Sequence, residues 1–213
     1  MRLQLALFML VALVPGITLH EYAHALAADR LGDPTPRRFG RLTLNPRPLV
    51  DPFGTLILPG LILVLIASGA ALLPLFAYAK PMPRDPSNLK NGQRDATLIA
   101  LAGPFANLLI AAAAGLLLRL GLQGTLFLLG YAFLWANLFL LVISLMPIPG
   151  LDGAEILARF LPPRAKEVYT NLNQYLPLFI LAIFFLLGGP LLSIAQALAG
   201  GVCTILAGAV NCG

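Results

Sequence analysis

Apolar residues along this chain fall into five long blocks, 3–28, 54–79, 96–118, 122–148 and 175–199, separated by polar connections. Each block reaches the roughly 20 residues that a helix needs to cross a bilayer. None alternates apolar and polar with period two, so the pattern of a transmembrane barrel is absent. The expected fold is an all-α polytopic membrane protein. It is a bundle of about four to six transmembrane helices, forming one integral-membrane domain over residues 1–213.

The connections carry the turn signals and the charge. The first runs from Asp29-Arg30 to about Asp51 and is rich in Pro and Arg: Pro34, Pro36, Arg37, Arg38, Arg41, Arg47. Within it, Phe39 to Leu44 alternates roughly as a short strand does before Asn45-Pro46 stops it, leaving room for a short β-hairpin. The second connection is Lys80 to Asp95, and the third, Pro147 to Asn173, carries Arg159, Arg164 and Lys166.

These charges bear on topology. If block 54–79 crosses once, Arg30–Arg47 and Lys80–Arg94 lie on opposite sides, and Lys and Arg show no useful bias. If it dips in and returns, all fourteen basic residues except Arg2 and Arg119 share one side. Excess positive charge in cytoplasmic loops favours the second arrangement. Pro59-Gly60, Gly69 and Pro74 supply points where a helix can break. The expectation is a re-entrant segment, with the polar connections mostly cytoplasmic in a multi-pass protein of the cell membrane.

Composition agrees. Hydrophobic residues make up 59 % of the chain and charged residues 11 %, against about a quarter charged in soluble domains. The net charge of +5 follows from the basic connections, so no nucleic-acid partner is expected; the lipid bilayer is. Arg2, an apolar run and Ala25–Ala28 resemble a secretory signal, but three ionisable groups between His20 and His24 argue against cleavage. Cys203 and Cys212, the two cysteines, both lie near the C-terminus. They can pair if the tail faces an oxidising compartment, and free thiols are an equal expectation.

Candidate chemistry lies within the first block. His20-Glu21-Tyr22-Ala23-His24 is an H-E-x-x-H pattern. Residues four apart share one helix face, so both imidazoles can reach one metal ion, while Glu21 can address a water bound to it. Two histidines and a carboxylate suit zinc with one position left for water. The alternative is a chance cluster, but ionisable residues inside a membrane segment are costly and usually functional. His20 and His24 are also the only histidines. A third protein ligand must then be a carboxylate. Asp29, Asp33, Asp51, Asp85 and Asp95 flank basic connections and read as solvated charges. Asp152 differs, because it closes an apolar block at Met146-Pro147-Ile148-Pro149-Gly150-Leu151-Asp152-Gly153. It has two readings: a ligand turned inward by the prolines, or an N-cap with Glu155 as its capping-box partner.

His-Glu-Tyr-Ala-His in the first apolar block, Ala102-Gly103-Pro104-Phe105-Ala106-Asn107 in another and Pro147–Gly153 closing a third resemble the site-2 protease family. Leu44-Asn45-Pro46, Asp51-Pro52-Phe53-Gly54-Thr55 and Ala79-Lys80-Pro81-Met82-Pro83 resemble its short bacterial branch, which lacks appended domains. The resemblance covers roughly residues 15–160. It implies a zinc endopeptidase that cuts membrane-protein substrates in or near their transmembrane segments, with one Zn2+ per chain. By that resemblance His20, His24 and Asp152 are the ligands and Glu21 is the catalytic base. Asn107 matches a family position near the core; its plain alternative is interhelical hydrogen bonding. The family usually has Asn eight residues before the ligand Asp, as a contact to substrate backbone or oxyanion. Here that position is Ser144, with Asn137 two turns earlier as a substitute or a helix-packing residue. Gly150 stands where proline is common.

Two other classes compete. A transporter relaying ions or protons through histidines and carboxylates needs neither the i,i+4 pairing nor the adjacent glutamate. An inactive relative would keep zinc as a membrane scaffold. Ser144 is the one residue hinting at it, and Glu21 speaks against it. With 213 residues, no room is expected for a soluble domain that reads substrates.

Overall fold

The computed structural model describes residues 2–69, 77–175, 178, 182 and 188–208. Helix α1 (Arg2–Leu31) is followed by the short α2 (Thr35–Arg38), a π-helical turn over Pro52–Ile57 and α3 (Leu58–Ala67). Then come α4 (Gln93–Arg119), α5 (Gly124–Ser144), α6 (Asp152–Ala158), α7 (Pro163–Asn171) and α8 (Gly188–Ala207). Among the described residues, three helices are long and apolar enough to cross a membrane, over Gln4–Leu31, Gln93–Arg119 and Gly124–Ser144.

These three pack on one another, and their contacts are made by small residues. Ala12, Ala25, Ala28, Ala111, Ala132 and Ala136 are buried, which lets backbones approach where lipid supplies no hydrophobic drive. Gly16 shows how close: a Cβ there would meet Asn137 Oδ1 at 2.8 Å. One apolar core joins α1, α3 and α5 through Leu13, Ile17, Leu58, Ile62 and Leu140. A second joins α4, α5 and α8 through Leu118, Leu134, Leu138, Ala199 and Cys203. Outward faces keep large apolar side chains exposed, among them Val11, Val14, Leu109, Leu116 and Leu126. Lipid covers such faces in a membrane protein. Cys203 is disulfide-bonded; Cys212 lies outside the described residues.

Helix α1 ends at Gly32, whose φ of +111° is open to glycine. The Asp33 N–H then closes the last turn on Ala28 C=O at 2.9 Å. Asp33 is 1 % exposed. Its carboxylate accepts from the backbone N–H of Thr35 and of Asp85 and from Asn88 Nδ2, at 3.0, 2.8 and 3.2 Å. Asp95, also 1 % exposed, accepts from Asn91 N–H at 2.8 Å in the first turn of α4. Reading these two aspartates as solvated charges is thus corrected. Each holds a loop that would otherwise leave buried N–H groups unpaired.

The strand expected over Phe39–Leu44 does not form, and no strand is present among the described residues. Arg41 N–H bonds Pro36 C=O, Thr43 N–H bonds Arg41 C=O, and Gly40 sits at φ +68°. Those local turns take up the donors that a ladder needs, so alternation without a partner yields no hairpin. Among its described residues, block 54–79 contributes the ten residues of α3 as α-helix. Tyr78 N–H bonds Gly54 C=O at 3.1 Å, and Lys80 N–H bonds Leu49 C=O at 2.9 Å. The two ends of the block therefore meet. Most of the first half of block 175–199 lies outside the described residues.

Candidate metal centre

His20 and His24 stand one turn apart on α1, with their Nε2 atoms 3.0 Å apart. Asp152 brings a carboxylate to both: Oδ2 lies 3.2 Å from His20 Nε2, and Oδ1 lies 3.2 Å from His24 Nε2. Zinc bonds near 2 Å at tetrahedral angles set donor atoms roughly 3.3 Å apart, so the three groups already stand close to ligand spacing. Asp152 Oδ2 is buried without a hydrogen-bond partner, as is fitting for an oxygen facing a cation. The other side of His24 is fixed: its Nδ1 donates to Ile99 C=O at 2.7 Å, which leaves the Nε2 lone pair for a metal. Gly103 of α4 completes the cradle. A Cβ there would fall 2.6 Å from His20 Nε2 and closer still to His24 Nε2. The donor set and this space fit zinc.

The loop before Asp152 explains its placement. Gly150 adopts φ +93°, which proline, fixed near −65°, cannot reach. The glycine in place of proline is therefore part of this turn. Leu151 is the extended N-cap, with no side-chain capping bond, and Asp152 opens α6. Its carboxylate points to the histidines rather than back to the helix. The capping alternative is not what the structure adopts. Gly153 lies directly on the Leu145 carbonyl, so α6 starts against the end of α5. Burial works against the Asp152 charge, but His24 and His20 beside it hold its carboxyl below the usual carboxylate range.

A cavity of about 220 Å³ opens on His20, His24, Asp152 and Glu21. Its other walls include apolar residues of α1 and α5 (Ile17, Leu140, Ile143), Ser144, the run Ala77–Ala79 with Pro81 and Met82, and Arg84. The Asp51–Thr55 turn holds that run. Thr55 Oγ1 donates to Tyr78 C=O at 2.9 Å, Asp51 Oδ1 caps Phe53 and Gly54 N–H, and a Cβ at Gly54 would strike the Tyr78 ring at 2.5 Å.

The other sequence candidates separate. Ser144 reaches the cavity wall, its hydroxyl donating to Leu141 C=O at 3.1 Å. Asn137 does not line the cavity: it donates to Phe133 C=O at 2.8 Å and abuts Gly16. Asn107 is wholly buried in α4, with no hydrogen-bond partner for its amide. Gly103 and the Asp51–Thr55 clamp lie in segments that carry the family resemblance, but no role at the site was read from them, and the Ile99 carbonyl has no sequence signal.

Similarity to known proteins decides the family. The protein named "Putative zinc metalloprotease YwhC" from Bacillus subtilis (strain 168) is 32 % identical over 192 residues, 85 % of this chain and 82 % of that one. "Putative zinc metalloprotease Rip2" from Mycobacterium tuberculosis (strain ATCC 25618 / H37Rv) is 33 % identical over 177 residues, 79 % of this chain and 63 % of its own length. The chain belongs to the site-2 protease family. Another relative of that family, Rip2 of Mycolicibacterium smegmatis (strain ATCC 700084 / mc(2)155), is 33 % identical over 168 residues, 75 % of this chain and 60 % of that one. No protein-family model and no solved structure matches the chain. In this site-2 protease family member His20 and His24 lie on a helix apolar enough for a membrane, and Asp152 opens the short α6.

Proposed function

We propose that this chain is an intramembrane zinc endopeptidase that hydrolyses peptide bonds in or near the transmembrane segments of membrane-protein substrates. The observation that carries the reading is the convergence of His20, His24 and Asp152 on one point, with Glu21 on the wall of the same cavity. His20, His24 and Asp152 would hold one zinc per chain. When bound, zinc supplies the Lewis acidity that makes water a nucleophile near neutral pH. Glu21 takes the proton of the attacking water and passes it to the leaving amine. His24 is kept in its ligating tautomer by Ile99 C=O. Ser144 offers a hydroxyl where the family commonly offers an amide, and Ile17, Leu140 and Ile143 give an apolar bed to the substrate segment.

Two observations support a re-entrant block 54–79 and cytoplasmic connections. Gly54 and Tyr78, near its ends, are hydrogen-bonded, and twelve of the fourteen basic residues, all but Arg2 and Arg119, then lie inside. A disulfide at Cys203 fits a C-terminal end in an oxidising compartment. The test is cleavage of a reporter transmembrane substrate by wild type and by Glu21→Gln, side by side.

A further inference from the structure

Asp152 faces a second cavity. This one, about 420 Å³, shares Arg84, Gly150, Leu151 and Asp152 with the first but includes none of His20, Glu21 or His24. Its character is different. Besides Asp152, its charged side chains are two cations, Arg84 and Lys166, and one anion, Glu155.

Among the described residues, Arg84 is the only basic side chain on the walls of both cavities. It pairs with Glu155 of α6, one turn beyond Asp152. Its backbone position is set by the neighbouring Asp85 N–H, which bonds the buried Asp33 carboxylate. The guanidinium end is freer: the side chains of Arg84 and Glu155 are 35 % and 22 % exposed. Water reaches part of this ion pair, so an incoming carboxylate can compete with Glu155 for the guanidinium. Lys166 of α7 donates to the neutral Gln93 amide on the same wall.

A polypeptide whose scissile carbonyl lies at the ligands must leave the first cavity on either side of them. Ile17, Leu140 and Ile143 suit an apolar stretch. The second cavity shares the Asp152 wall and offers Arg84 and Lys166, with Glu155 paired to Arg84, which suits a charged one. We propose that the second cavity binds the hydrophilic flank of the substrate on one side of the scissile bond, and that Arg84 selects an acidic side chain there. The proposal rests on the protease reading above. Arginine and a carboxylate match as a two-pronged hydrogen-bonded pair, so acidic flanks are preferred.

The experiment uses the full zinc-loaded chain in lipid vesicles and reporter substrates that differ at one hydrophilic position, set as Asp, Asn or Lys and scanned on each side of the scissile bond. Asp should exceed Lys in kcat/KM by roughly tenfold, on one side only. That ratio should fall to near one in Arg84→Gln and invert in Arg84→Glu, read in preparations matched for zinc content. Should Arg84→Glu lose its zinc, Lys166→Glu carries the same test from α7, with a reduced ratio expected. Equal kcat/KM for Asp, Asn and Lys at every position, or a ratio untouched in these variants, overturns the proposal. Failure of wild type to cleave any of the reporters overturns the protease reading itself.

Discussion

A Cβ on Gly103 would lie 2.6 Å from Nε2 of His20, on the side of the ring that faces the metal position. Helix α4 contributes no ligand, yet its backbone sets the floor of the site. Gly103→Ala forces either the rings or the helix to shift, at an overpacking cost of about 1–3 kcal/mol. The expected result is zinc content well below one per chain while the protein still inserts in membranes. Metal analysis of the purified variant reads it. Full zinc occupancy in Gly103→Ala would remove Gly103 from the site's architecture.

Asp33 gives a prediction with a pH sign. Burial opposes its charge, but the hydrogen bonds from Thr35, the Asp85 N–H and Asn88 hold its carboxyl below the usual range. A lowered folded-state value means that its stabilisation is complete above the unfolded value of roughly 4. It is lost as pH falls through the folded value. Asp33→Asn should therefore destabilise the protein by roughly 2–3 kcal/mol at pH 7. The gap to wild type should narrow as the pH falls below roughly 4 and close only below the lowered folded value. Thermal unfolding in detergent across that range measures it, and a gap that stays constant contradicts it.

How much of this was legible in the sequence depends on the reach of each contact. His20, Glu21 and His24 are local, one turn of one helix, and the cost of charge in an apolar block singles them out. Asp152 was legible as an outlier, but its two readings separated only through Gly150 at φ +93° and the extended Leu151. Asp33 reaches Asp85 and Asn88 across 52 and 55 residues, and His24 reaches Ile99 across 75. No periodicity encodes such pairings. Alternation over Phe39–Leu44 misled because a strand needs a partner, and the local turns left none. Asn137 was weighed as a substitute for the missing asparagine, but its face of α5 meets Gly16.

Topology follows from the same geometry. Single cysteines at the exposed positions Arg38, Ser87 and Arg164, in a background with Cys203 and Cys212 replaced by alanine, should all resist a membrane-impermeant thiol reagent on intact cells. They should label once the membrane is opened. A bilayer core about 30 Å thick leaves no way for Asp152 to reach His20 from the opposite side. Labelling at Ser87 alone would mean that block 54–79 crosses.

The most direct measurement pairs zinc content with cleavage in wild type and Glu21→Gln. Both proteins, purified without chelator, should hold about one zinc per chain, because His20, His24 and Asp152 are untouched. Wild type should cut a reporter transmembrane substrate, and Glu21→Gln should cut it about 10²–10⁴-fold more slowly, since an amide cannot take the water's proton. A Glu21→Gln protein that cleaves at the wild-type rate, or a wild-type protein without zinc, would contradict the account.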